Sequence, residues 1–403
     1  MSPESPPQQP KIDLDGVAEY RQQRLRDEME LRDIAAVILT DAVNIRYATG
    51  TRNMQVFTSR NPASRYAFIP LDGPVIMFEF TGTEHLSEGL STVQEVRHAR
   101  TASFVAAGPR IAETEQAWAD DIASLVTERC GSNAKIGVER VNVGAATALS
   151  RHGFDIVDAQ EPIERARAIK STSELSCIRA SLRATEAAMH HMRDAISPGL
   201  TENQLWSIFH QHVIAAGADY IETRLMTAGQ HTNPWFQETS DHIIEPNVLI
   251  SFDTDVVGVH GYYSDFSRTF HAGPDIPTAR QRELYSIAHE QVQHNIAVIQ
   301  PGMTFEEYST KAWDLPDEFA GNRYYLSAHG VGMTGEYPYL YHHQDYADFG
   351  YDGIIEPGMT LCVESYIGKP GDDEGVKLEE QILVTDSGTE LLSDFPFEAE
   401  LLS

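Results

Sequence analysis

"SFDTDVVGVHGYYSDFSRTF", residues 251–270, sets Asp253, Asp255 and Asp265 into an otherwise apolar segment. A buried strand rarely carries carboxylates, because an unpaired charge taken out of water is heavily penalised. Side chains on a strand alternate faces, so Asp253 and Asp255 are expected to share one. "VVGVHGYY", with two glycines, reads as a turn or bulged hairpin that returns Asp265 beside them. Farther along, "SAHGVGM" holds His329, "PGMTLCVESYI" holds Glu364 and "GVKLEEQILV" holds Glu379, each in a strand-like context. The glycines around His329 allow close backbone approach. Taken singly, each residue is more often an ordinary satisfied or exposed side chain than a ligand. If the five carboxylates and the imidazole converge, two divalent cations are needed to balance them. Oxygen-rich ligation with one imidazole and no thiolate suits Mn, Fe, Co or Zn, and argues against copper or iron–sulfur chemistry.

The rest of the chain places this segment. At roughly 150 residues per domain, 403 residues imply two or three domains. Residues 1–11 are expected to be a Pro-rich, disordered tail, without the basic and apolar blocks of a signal peptide. In 12–165, "VAEYRQQRLRDEMELRDI" is amphipathic and helical, and "AAVILT", "YAFIPL" and "PVIMFEF" read as short buried strands. "RARAIKSTSEL" marks a change of character, and a second domain is expected over 166–403. There Leu175, Ile178, Leu182, Met189, Met192 and Ile196 mark one face of a long helix. Thr201 with Gln204, and Thr304 with Glu307, read as capping boxes that open two further helices. Strands are expected within 248–270, 323–341, 359–368 and 376–385. The fold class is therefore α+β, with helices grouped apart from a largely antiparallel sheet.

Sixty acidic against thirty basic residues give a formal charge of −30, which disfavours a nucleic-acid partner and favours solubility in salty surroundings. No run of about 18 apolar residues occurs, so no membrane partner is expected. Cys130, Cys177 and Cys362 follow no metal-finger or CxxC spacing and fit a reduced, cytoplasmic location.

The ordered motifs resemble the creatinase/prolidase/methionine-aminopeptidase superfamily, the pita-bread fold. "NIRYATG" and "RAIKSTSEL" are similar to the N-terminal domain and junction of its creatinase-like branch, so the resemblance covers nearly the whole chain. It implies a creatinase-like α/β domain before a pita-bread catalytic domain, and two divalent metal ions (Fe, Mn, Zn or Co). By motif, Asp265 and Glu379 would bridge the ions, His329 and Glu364 would hold one, and the first aspartate, Asp253, the other, with Asp255 as an extra ligand. The resemblance also implies a homodimer in which "NMQVFTSRNP" forms a lid, so that Phe57 acts on the partner's site.

The chain departs from the peptidases of this fold. Their two aspartates are separated by one residue fewer than Asp253 and Asp265, and by one more than Asp255 and Asp265. They carry histidines that grip the scissile carbonyl where this chain has "HTNPWFQE" and "GEYPYL", with His231 offset from the first place. Without those groups, amide hydrolysis loses its transition-state donors. The departures resemble the DddP-type dimethylsulfoniopropionate (DMSP) lyases, which share the "SFDTD" doubling, "ETRL", "TNPWFQE" and a tyrosine five residues before the metal histidine, here Tyr324. That likeness implies β-elimination of dimethyl sulfide from DMSP, or from a close zwitterionic analogue, to leave acrylate. Trp235, Phe236, Tyr324 and Phe57 would offer aromatic faces to a sulfonium. Those lyases carry an acidic residue, put forward as the base, six places after the metal histidine; here Gly335 stands there. Tyr324, Glu336 and Asp255 are the candidate catalytic groups. The alternative reading is a metal-dependent hydrolase of a small C–N substrate, an Xaa-Pro dipeptide or a compatible solute.

Overall fold

The structure, a computed structural model, describes residues 12–52, 60–61 and 64–403. The Pro-rich tail and Phe57 lie outside the described residues. The chain divides into two compact units between Arg167 and Ala168.

In the first unit, β1 (Ala36–Leu39), β2 (Tyr66–Pro70), β3 (Ile76–Glu79), β4 (Glu95–His98), β5 (Lys135–Val138) and β6 (Asp155–Asp158) form one mixed sheet ordered β4-β3-β2-β1-β5-β6. The three apolar runs read as strands are β1 to β3, and the helix expected before them spans Leu14–Glu30. Trp118, on the helix Ile111–Cys130, is wholly buried and meets Tyr66 edge-on at 6.1 Å, while Tyr66 stacks on Phe78 at 4.5 Å.

The second unit has a small sheet of β7 (Tyr220–Ile221), β10 (Val256–Val257) and β11 (Tyr263–Ser264). A second sheet holds β8 (Met226–Ala228), β9 (Leu249–Asp253) and β12 (Ser267–His271). The largest holds β13 (Ala328–Val331), β14 (Gly335–Leu340), β15 (Thr360–Ile367), β16 (Val376–Thr385) and β17 (Gly388–Leu391), ordered β14-β13-β15-β16-β17. Every strand pair of this unit is antiparallel. The long helix spans Thr172–Asp194, and both expected capping boxes are present, at Thr201/Gln204 and Thr304/Glu307. The segment 323–341 is not one strand but a loop followed by the hairpin β13–β14.

The large sheet is two-faced, and that places the site. Leu361, Val363, Leu378, Ile382 and Val384 enter hydrophobic clusters, with the helices Ala279–Val298 and Phe305–Lys311 packed there. Cys362, Glu364, Lys377 and Glu379 alternate with them and project to the opposite face. Among the described residues no helix is long and apolar enough to cross a membrane.

Candidate metal centre

Glu364 on β15 lies directly opposite Glu379 on β16. Like charges in direct cross-strand register destabilise a sheet, so this pairing needs a cation to answer it. His329, on β13, pairs with Cys362 on the other flank of β15. Its Nδ1 bonds the Gly330 carbonyl at 2.9 Å, which turns Nε2 toward the carboxylates. Nε2 lies 3.2 Å from Glu364 Oε1, 3.6 Å from Asp265 Oδ2 and 3.7 Å from Glu379 Oε1. The bulge that sets this ring needs glycine, since a Cβ on Gly330 would stand 2.2 Å from the Tyr337 carbonyl oxygen.

Asp253 ends β9 and Asp265 falls between β11 and β12. Asp255 does not reach the site by strand alternation. The strand stops at Asp253, and Asp255 takes a left-handed backbone, φ +42°, before the β10–β11 hairpin turns back. Its carboxylate accepts hydrogen bonds from Thr223 Oγ1 and, at 3.1 Å, from the Tyr263 hydroxyl. Donor atoms of Asp253, Asp255 and Asp265 lie within 4.8 Å of one another, as do those of Asp265, His329, Cys362 and Glu379. Asp265 belongs to both groups.

Electrostatics tests whether cations fit. Burial, aided by the charge of Asp253, pushes the Asp255 carboxyl up to about 8. Burial and the neighbouring carboxylates drive Asp265 well above the usual range, and Asp253 also rises. Burial alone would lower His329, but the Glu364, Glu379 and Asp265 carboxylates beside it carry it well above 6.5. The cluster is therefore short of positive charge. Glu379 Oε1, fully buried, has no hydrogen-bond partner among the described residues. An orphaned carboxylate oxygen, two oxygen-rich groups sharing Asp265 and one imidazole suit a pair of divalent ions.

The resident cation is Lys377, two residues before Glu379. Its ammonium bonds Glu364 Oε2, Glu379 Oε2 at 3.1 Å and the Ser267 hydroxyl at 2.8 Å, and lies 3.4 Å from Asp253 Oδ2. Lysine thus takes the Oε2 atoms of both glutamates and leaves their Oε1 atoms toward His329. Sequence reasoning missed Lys377 and Cys362, although the period-two rule puts each on the face of the glutamate two residues later. The buried Cys362 thiol reaches the Asp265 carbonyl at 3.4 Å.

Above the carboxylates opens a cavity of about 270 Å³. Asp253, Asp255, Asp265, His329 and Glu364 line it on one side. Phe236, Tyr324, Tyr325 and Tyr339 supply an aromatic wall, with Glu222 and Gly335 also exposed to it. Phe236 stacks on Tyr324 at 5.3 Å and holds a left-handed backbone, φ +70°. Such a conformation is unusual for an aromatic residue and marks functional positions.

Two expectations need correction. Trp235 does not line the cavity. It is buried behind it, packed with Leu225 and Tyr366 and 5.9 Å from the Lys377 ammonium. Glu336 also points away, because its strand neighbour Gly335 takes the cavity side. Its carboxylate is buried against Lys170 Nζ at 2.6 Å. His231 faces Glu202 rather than the cavity.

Family comparisons agree with this geometry. Residues 176–386 match metallopeptidase family M24, and residues 21–169 match the creatinase/prolidase N-terminal domain. The dimethylsulfoniopropionate lyase DddP of Roseovarius nubinhibens is 34% identical over 395 residues, 97% of this chain and 88% of the relative. The protein of that name from Roseobacter denitrificans is 34% identical, with the same coverage. An Xaa-Pro dipeptidase structure from Bacillus anthracis superposes with a TM-score of 0.75 at 23% identity, over 94% of this chain and 99% of that one, a likeness of fold. The chain belongs to metallopeptidase family M24, carried behind a creatinase/prolidase-type N-terminal domain.

Proposed function

We propose that this protein is a metal-dependent carbon–sulfur lyase that cleaves DMSP, or a close zwitterionic analogue, to dimethyl sulfide and acrylate. The observation that carries the reading is the make-up of the cavity: a carboxylate cage faces an aromatic wall, and among the described residues His329 is its one lining histidine. A zwitterion with a carboxylate at one end and an onium group at the other matches those two walls. The relatives named as DMSP lyases extend over the same residues.

Asp253, Asp255, Asp265, His329, Glu364 and Glu379 are assigned to two divalent ions of the Mn, Fe, Co or Zn class. When bound, the ions would hold the substrate carboxylate and acidify the adjacent C–H as Lewis acids. The chain's own groups do the rest. Phe236, Tyr324, Tyr325 and Tyr339 hold the sulfonium by cation–π attraction and keep water from it. Tyr324 is assigned to take the α-proton as its phenolate, after its own hydroxyl proton has passed to solvent. As that C–H bond breaks, a carbon–carbon double bond forms and the C–S bonding pair leaves on sulfur. Burial and the charges of Glu364 and Asp253 hold the Tyr324 hydroxyl well above 10. Neutralising those carboxylates removes the charge component of that shift. Homodimer formation carries over from the creatinase-like resemblance, and a cytoplasmic location from the three free cysteines.

The test is an assay of metal-loaded protein with DMSP and, in parallel, with Xaa-Pro dipeptides. Dimethyl sulfide and acrylate in equal amounts are expected. Proline release without dimethyl sulfide would replace the lyase reading with the hydrolase one.

A further inference from the structure

Apart from the carboxylate cage, Glu202, His231 and His242 meet at the base of the segment that carries Trp235 and Phe236. Glu202 opens the helix Glu202–Ala215, and its side chain is fully buried. Its Oε2 accepts from the Ser240 N–H at 2.9 Å and the Ser240 hydroxyl at 2.7 Å. Its Oε1 accepts only from the Ala228 N–H at 2.8 Å. A carboxylate offers about four lone-pair sites, so one remains on Oε1, where His231 Nδ1 stands 3.3 Å away. No lysine or arginine among the described residues pairs with this buried charge. The His242 ring lies 4.1 Å from the His231 ring, and donor atoms of all three residues fall within 4.8 Å of one another.

Backbone bonds fix each partner without help from an ion. The Glu202 N–H donates to the His242 carbonyl at 3.0 Å, the Asn203 N–H to the Ser240 carbonyl at 3.0 Å, and Thr201 bridges Ile243. His231 sits in the 3-10 turn Gly229–Thr232, closed by the Thr232 hydroxyl on the Gly229 carbonyl at 2.7 Å. Both imidazoles are partly exposed. His242 also lines a second cavity, of about 490 Å³, together with Glu245, Asp373 and Glu374. Those acidic groups draw cations toward it.

We propose that Glu202, His231 and His242 form a mononuclear site for a zinc-class divalent ion. Two imidazoles and one carboxylate leave a fourth position for water, the donor set that zinc accepts readily. Bound there, the ion ties both ends of residues 231–242 to one helix and steadies Phe236 in its left-handed backbone. The site stands whatever the carboxylate cage does.

The experiment counts zinc. Full-length wild type, His231→Gln and His242→Ala are loaded with Zn²⁺, dialysed and measured by elemental analysis, with thermal melting to show that each is folded. The His231→Gln variant keeps a polar tip for Glu202 should the alanine disturb the fold. Each variant is expected to hold one equivalent fewer than the wild type. The same difference is expected on an Asp265→Asn background, which disables the carboxylate cage and so separates the two sites. Equal zinc content in wild type and folded variants would overturn the proposal and leave Glu202 and His231 as a simple ion pair.

Discussion

Replacing Gly335 with aspartate puts a carboxylate at the cavity position where the resemblance to DMSP lyases leads one to expect an acidic residue. The structure says that it will fit. A Cβ at 335 meets only the His329 ring, at 3.8 Å from Cε1 and 3.9 Å from Nδ1, which is ordinary contact, and the backbone there is not left-handed. The residue is exposed to the cavity, so neither burial nor strain opposes the new side chain. A positioned base contributes about 10²- to 10⁴-fold to proton transfer. The cage is already crowded with negative charge, so the low end applies, about 10²-fold or about 2.7 kcal/mol of barrier. The assay is headspace dimethyl sulfide release from metal-loaded Gly335→Asp and wild type, with kcat and KM separated. An increase in kcat with little change in KM marks a gain realised in the transition state. An unchanged or lower kcat, with metal content and Tm intact, would refute the reasoning that a carboxylate at 335 takes the proton better than Tyr324 does.

Other outcomes follow from the same geometry. Tyr324→Phe should keep its metals and lower kcat by about 10²-fold; full turnover would remove Tyr324 as proton acceptor. Glu336→Gln breaks a buried pair with Lys170 and should cost about 3–5 kcal/mol, read as a fall in Tm. Turnover per folded molecule should stay at the wild-type level, and a selective loss of kcat would mean that Glu336 reaches the chemistry after all. Chelated protein should lose stability as pH rises from 5 to 8. Asp255 keeps its proton in the fold up to about 8, while the unfolded chain releases it near 3.8, so folding is favoured at low pH and that gain disappears through the folded pKa. Metal-loaded protein should show the opposite trend, because loading displaces those protons. A melting temperature for chelated protein that climbs across this window would contradict the raised carboxyls.

Much of the scaffold could be read from residue order because it is local. Capping boxes at Thr201/Gln204 and Thr304/Glu307 need only neighbouring side chains, and the apolar stripe of the helix Thr172–Asp194 needs only one period. The carboxylate motifs could be placed on strands or strand ends for the same reason. What escaped depends on where a strand stops and which way it faces. Asp255 looks like a partner of Asp253 by alternation, yet a single left-handed residue, not the pleat, delivers it. Glu336 was a candidate only as the sequence neighbour of Gly335, and adjacency on a strand means the opposite face. Trp235 and Phe236 divide in the same way, one behind the cavity and one on it. Lys377 escaped because nothing local to its apolar run says which groups it will meet. Only the register of β15 on β16 shows it between two glutamates.

Lys377 also bears on the order in which this protein matures. A chain with five acidic side chains packed together and nothing to answer them would resist closing until minerals arrived. An internal ammonium already clasping two of the five lets the scaffold settle first and be charged with ions afterwards. Which ions enter would then be decided by supply to a finished receptacle, not by a race between folding and capture.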